Sequence, residues 1–335
     1  MTMAEIVSFE TFMDVALYGE HGFYASGGRA GRRGDFITSP EVGPLFGAVL
    51  ARAIDTWWNE LGRPNDFAVV EAGAGPGTLA RAILAAHPSA LQASGARYVA
   101  VEISDVQRAS HPGGVESVAV MPDGPIVGIV IANELLDNLP FRLAVHDGGW
   151  REAFVQRDGD RFAEVLRPLD GPVPPELPTS GVPHGARAPL QERAGAWSRS
   201  AFDRLERGRL VVIDYAVART AELALRPWRE WLRTYRGHDR GAHYLSDPGT
   251  QDITTEVAID QLAAAVGVPD AVRTQAQFLQ RWGIDELVAE GRAIWESQAA
   301  RPGLEAMQAR SRVREAEALL DPTGLGGFTV MEWAR

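Results

Sequence analysis

Apolar positions change their period several times along the chain, and each change marks an element. Near the start, Phe9, Phe12, Met13, Ala16 and Leu17 recur at helical spacing. Gly19, Gly22, Gly27 and Gly28 then break the pattern and predict turns. Residues 34–47 (GDFITSPEVGPLFG) form a polar lead into a second helix, with Ser39 the expected N-cap and Pro40 its first residue. That helix is predicted to continue through Leu50, Ile54 and Trp57. From residue 67 the helical period gives way to short, mostly apolar runs at 67–71, 98–103, 126–132 and 210–215, separated by helical stretches such as 78–86. Runs of this kind read as strands buried on both faces, hence a parallel sheet with helices on both sides.

Between residues 141 and 165 the pattern alternates, and Asp147-Gly148 and Asp158-Gly159 supply turn dipeptides, so β-hairpins are predicted. Residues 168–188 are rich in proline and glycine and read as an exposed loop; the C-terminal third reads as mostly helical, with residues 326–333 a last strand. The resulting organisation is an N-terminal helical segment, 1–66, bordering the pocket. An α/β domain over 67–335 follows, with insertions at about 141–208 and 217–270.

Composition narrows the chemistry. With 335 residues, 45% of them hydrophobic, the chain can bury a sizeable core. Acidic residues outnumber basic ones, 44 to 33, for a net charge of −11. This disfavours nucleic acid and favours cationic partners, arginine-bearing proteins among them. There is no cysteine, which removes disulfides, thiolate nucleophiles and cysteine-held zinc, and no metal is expected. Lysine is also absent, so Schiff-base chemistry and the phosphate-loop lysine are excluded; all-arginine usage suggests GC-rich coding and a bacterial source. No signal-peptide pattern or bilayer-length apolar run is present, so a soluble, cytoplasmic protein without membrane contact is expected, as a monomer or homodimer.

The glycine loop carries the first functional signal. Gly73-Ala74-Gly75-Pro76-Gly77 joins a strand to a helix, where glycines let backbone N–H groups approach a ligand closely. A dinucleotide fingerprint needs its third glycine where Thr78 stands, which weakens a nicotinamide-dependent oxidoreductase reading. Glu102 closes the next strand, placed to accept both hydroxyls of a ribose. Asn133 to Pro140 (NELLDNLP) directly follows a third strand, at the sheet edge where α/β ligands bind.

Five segments, GDFITSPEVGPLFG, EAGAGPGTL, IANELLDNLPF, YRGH and DPGTQDIT, occur in the order seen in the MidA-like family, which this chain resembles over residues 9–283 and the last strand. The resemblance implies a Rossmann-like class I methyltransferase using S-adenosyl-L-methionine. It implies that Glu71, Gly73, Ala74, Gly75 and Gly77 hold the methionine part, that Glu102 with Ile103 holds the ribose, and that Thr38, Ser39 and Pro40 border the cofactor. Asn133, Glu134 and Asp137 would form the catalytic, methyl-transfer side, and Tyr24, Asp35, Glu41 and His238 the acceptor pocket. The implied acceptor is a protein arginine, for example on a respiratory-chain subunit.

Arginine poses a chemical problem, because its guanidinium stays protonated and is a poor nucleophile. Carboxylates can orient it through paired hydrogen bonds; Glu134 and Asp137 are the candidates, with Glu41 third. Two departures fall in the acceptor half: Ala216 stands where the family has glycine, and the sequence after Thr254 differs. A non-catalytic assembly scaffold retaining the fold, or a small-molecule methyltransferase, are the alternative readings.

Overall fold

Strands Ala68–Ala72, Arg97–Val101, Glu116–Val118, Ile126–Asn133 and Leu205–Asp214 pair in parallel, as their two-sided apolar character predicts. The computed structural model describes residues 5–24, 38–159, 161–236, 239–301 and 303–335. Among these, seven strands form the central sheet, in the order 271–274, 329–334, 205–214, 126–133, 68–72, 97–101, 116–118. The sheet is mixed rather than wholly parallel, because Thr329–Ala334 runs antiparallel to both Leu205–Asp214 and Ala271–Thr274. Strand direction leaves no trace in the apolar pattern, since a strand covered on both faces reads the same either way.

Alternate strand residues serve opposite layers. Val69, Ile129, Ile131, Val211 and Ile213 pack under helices Pro44–Glu60, Thr78–Ala85 and Gln275–Arg281. Their neighbours Val70, Val130, Ala132, Leu210 and Val212 pack against Glu192–Asp203 and Ile259–Val266. Burial of a Val or Ile side chain contributes about 1.5–3 kcal/mol, so this two-sided interleaving is the main stabilising term.

Ala68, Gly128 and Gly208 lie opposite one another on three adjacent strands. Gly128 has φ 153°, and a Cβ there would sit 1.9 Å from the Ala68 carbonyl oxygen. Gly128→Ala is therefore expected to destabilise the fold by about 3–5 kcal/mol, combining backbone strain and overpacking. A urea-unfolding midpoint unchanged from wild type would contradict this.

The N-terminal segment is not purely helical. Glu5–Ser8 is a strand paired antiparallel with Trp150–Asp158, and Ser8 then caps helix Phe9–Tyr18 by accepting from the Thr11 N–H at 3.1 Å. The predicted hairpins form: Arg142–His146, Trp150–Asp158 and Arg161–Pro168 build a second sheet, joined by Arg187–Leu190. Phe9, Met13, Phe141, Leu143, Val155 and Trp231 share its core, so the first helix is fastened to the insertion. Four residues were too few to show a strand period beside the strong helical signal that follows. The strand read as starting at 210 begins at Leu205, inside the span assigned to the first insertion.

The second helix is in fact two. Ser39–Val42 has Thr38 as its N-cap, so Ser39 lies one place inside the helix, and Pro44–Glu60 starts anew after Gly43. Pro44 has no N–H to continue the first helix and opens the second without cost. Glu315, from the distant helix Leu304–Leu320, accepts the Leu45 N–H at 2.9 Å and caps the new start.

Candidate functional site

Strand Ala68–Ala72 connects onward to one side of the sheet, while Ile126–Asn133 lies on its other side, which opens a crevice at their carboxyl ends. The glycine loop rims it. Gly73, Gly75 and Gly77 have φ of 68°, 54° and 78°, a left-handed run that favours glycine. A cavity of about 490 Å³ lies above, walled by Gly73, Ala74 and Gly75, by Glu102 and Ile103, and by Asn133 and Glu134. The N-terminal helix supplies Asp14 and Tyr18, the segment after it Tyr24, and Thr38, Pro40 and Glu41 close another side.

Glu102 ends its strand with both oxygens engaged: Oε2 accepts from the Gly75 N–H at 3.0 Å and Oε1 from the Ser104 N–H at 2.8 Å. The carboxylate thus sits against the glycine loop. Glu71 faces inward. Tyr98 donates to it at 2.6 Å, and burial pushes its carboxyl up to about 7, so it braces the sheet below the loop while forming part of the cavity wall. Glu41 accepts from the Thr78 hydroxyl at 2.7 Å, which places it beside the glycine-loop helix, in the wall of the same cavity as Glu134. Ser39 is fully buried and donates to Gln275 Oε1 at 2.9 Å, so its side chain turns away from the cavity. Gly77 caps helix Thr78–Ala85 and lies close to Pro112, outside the cavity wall. Asp35 and His238 lie outside the described residues.

Beyond Asn133 the chain takes an unusual path. Glu134 adopts φ 51°, a left-handed conformation that costs a non-glycine residue about 1–3 kcal/mol. It is held there by its N–H donating to the Ile213 carbonyl at 2.8 Å, while Asn133 Nδ2 donates to its carboxylate at 3.1 Å. Burial, reinforced by the nearby Asp137, pushes the Glu134 carboxyl up to about 8. Asp137 is 5% exposed; Thr254 donates to its Oδ2 at 2.5 Å, and burial raises its pKa. Asn133 Oδ1 and Asp137 Oδ1 are buried without a hydrogen-bond partner among the described residues.

Two acids that motif reading left without a role organise this loop. Asp214, fully buried at the end of its strand, accepts the N–H groups of Leu136, Asp137 and Tyr215 at 2.9, 3.3 and 2.9 Å. Asp252 accepts from the Tyr24 hydroxyl at 3.2 Å and from Asn138 at 3.1 Å, and burial with nearby Asp137 raises it to about 7. Tyr18 and Tyr24 stack at 5.5 Å between ring centres, and Tyr18 donates to the Asn138 carbonyl. A polar residue ending an apolar strand was the available signal for Asp214, and a quoted motif contained Asp252. Arg193 and Trp197, which reach the cavity from helix Glu192–Asp203, had no sequence signal.

Residues 49–275 match the family described as "Putative S-adenosyl-L-methionine-dependent methyltransferase". The chain is 26% identical over 293 residues to the protein arginine methyltransferase NDUFAF7 homolog, mitochondrial, of Drosophila melanogaster, covering 74% of this chain and 63% of that protein. Against protein arginine methyltransferase NDUFAF7, mitochondrial, of Homo sapiens it is 28% identical over 311 residues, covering 79% and 67%. The chain thus spans less than two thirds of the length of the Drosophila relative. A crystal structure from Burkholderia thailandensis bound to S-adenosyl-homocysteine superposes with TM-score 0.81 at 27% identity, covering 98% of this chain and 88% of that one.

Proposed function

Because the chain belongs to the S-adenosyl-L-methionine-dependent methyltransferase family, we propose that it transfers a methyl group from S-adenosylmethionine to an arginine side chain of a protein. The residues present suit that cofactor. The cavity is within the usual range for such ligands, roughly 300–1,000 Å³. Its glycine loop presents backbone, Glu102 lies against that loop with a carboxylate that can accept hydroxyl donors, and Asn133 Oδ1 has no donor among the described residues. Cofactor use is further supported by the structural relative bound to S-adenosyl-homocysteine. Support for arginine comes from the names of the curated relatives.

The observation that carries the reading is Glu134, held in a strained conformation with its carboxylate beside the cavity and next to Asp137. When bound, the cofactor supplies a methyl group on a positively charged sulfur. The chain's work is alignment and proton handling. Glu134 would accept hydrogen bonds from the guanidinium and turn one nitrogen toward the methyl carbon. The glycine loop and Glu102 would hold the cofactor, which would supply the methyl group to that nitrogen and leave as a neutral thioether. The arriving guanidinium would favour the ionised form of Glu134, displacing the proton that burial holds there in the empty site, and that carboxylate would then take the N–H proton and release it to solvent.

To test this, the protein would be incubated with methyl-labelled cofactor and a protein extract, followed by acid hydrolysis. The label is expected in methylarginine. Recovery only in another amino acid, or in small molecules, would overturn the arginine assignment while leaving the cofactor site intact.

A further inference from the structure

Glu134 borders a second, smaller cavity as well as the first. This one is about 90 Å³ and includes Asp137, Asp252, Glu256, Tyr215 and Trp231 in its wall. A single water needs roughly 10–15 Å³ of such space, so a group of several heavy atoms fits.

Acidic side chains outnumber basic ones in its wall, four to one. Arg233, the cation in the wall, is engaged by Glu256 at 2.9 Å, and Glu256 also binds Arg226 at 2.7 Å. Glu134, Asp137 and Asp252 face the same cavity, and Arg233, though shared with Glu256, is the cation that acts on Asp137. Asp137 is 5% exposed, and its Oδ1 has no hydrogen-bond partner among the described residues, while its Oδ2 is held by Thr254. An unmatched buried acceptor of this kind is costly unless a donor arrives. Aromatic walls add a second requirement. Tyr215 already carries one guanidinium, Arg233, 5.6 Å from its ring centre, and Trp231 is pinned by donating to the Leu223 carbonyl at 2.9 Å.

We infer that this second cavity seats the guanidinium head of the acceptor, with Asp137 Oδ1 and Glu134 as its hydrogen-bond acceptors and Tyr215 and Trp231 as its flanking rings. The inference rests on the arginine reading. A planar fork of five donors between two carboxylates and against aromatic faces fits this lining better than the compact ammonium of lysine. Glu134, common to both cavities, then stands where the guanidinium meets the methyl group.

The test uses wild-type protein saturated with S-adenosyl-homocysteine. N-acetyl-L-arginine N-methylamide and its lysine counterpart are titrated by calorimetry. The arginine compound should bind at least about ten-fold tighter than the lysine compound, in keeping with a paired, charge-assisted contact. Asp137→Asn should weaken it by about the same factor, and Tyr215→Leu by several-fold, with S-adenosyl-homocysteine affinity unchanged. Equal affinity for the two compounds overturns the proposal, and so does arginine binding that ignores both variants. The wild-type comparison decides the matter even where a variant fails to fold. If label appears in methylarginine while the titrations fail, the cavity assignment falls and the arginine reading stands. If the titrations succeed and the label goes elsewhere, the cavity is a guanidinium site and the arginine acceptor is wrong.

Discussion

Glu102→Ala should weaken S-adenosyl-homocysteine binding by about 100-fold, the largest loss expected from a single cofactor-side substitution. Both carboxylate oxygens of Glu102 now accept backbone N–H groups, from Gly75 and Ser104, and so they already point along the rim of the glycine loop. Ribose hydroxyls donating to the same oxygens would form charge-assisted bonds worth about 1.5–3 kcal/mol each. Losing two of them, offset in part by water, leaves about 3 kcal/mol, which is the 100-fold quoted. Removal of the side chain also frees the loop, so the variant needs a thermal melt beside the calorimetric titration. Wild-type affinity in a folded variant would place the ribose elsewhere and remove the basis for reading the Gly73 to Gly77 loop as the methionine cradle.

Glu134→Gln is expected to act on the other half of the reaction. It keeps the shape of the side chain and the donor from Asn133, yet it can neither take the acceptor proton nor stabilise the guanidinium charge. Transfer should fall by about 10²–10³-fold, the usual effect of removing one well-placed electrostatic partner. Cofactor affinity should stay within about two-fold of wild type, since the loss is one of transition-state stabilisation. Equal loss of both would mean that Glu134 supports the fold of the loop and not the chemistry.

The same variant has a stability signature. Folding raises the Glu134 carboxyl from 4.5 to about 8, so the folded protein holds a proton that the unfolded chain has released. The associated stability is therefore complete below pH 4.5 and is lost as the pH rises through 8. Asp252 and Glu71, each raised to about 7, act in the same direction. In the absence of ligand the unfolding free energy, and with it the melting temperature, should fall between pH 5 and pH 8.5, and Glu134→Gln should flatten the free-energy fall by an amount on the order of a few kcal/mol. Parallel melting curves for the two proteins across this range would show that Glu134 does not hold its proton in the folded state.

The amino-acid sequence by itself determined the α/β class, five strands of the central sheet, the glycine loop and the acids at its two neighbouring strand ends. The reason is local: two-sided burial leaves an apolar run, a strand-to-helix turn needs glycine, and a strand end is marked by the first polar residue after it. The hairpins from Arg142 to Pro168 were legible on the same terms, through alternation and two Asp-Gly turns. What only the tertiary structure decided is how distant segments converge. Strand Glu5–Ser8 exists because Trp150–Asp158 offers it a paired edge. The last strand runs antiparallel because of where the chain re-enters the sheet. The acid-lined cavity is assembled from residues 134–137, 215, 231–235 and 252–256, which no local period relates. Asp214 becomes an anchor for three N–H groups, and Asp137 is left with one oxygen unpartnered among the described residues, only once strand Leu205–Asp214 lies beside Ile126–Asn133. A sequence carries the chemistry of each carboxylate, whereas its pKa and its partner depend on what the folded chain packs around it.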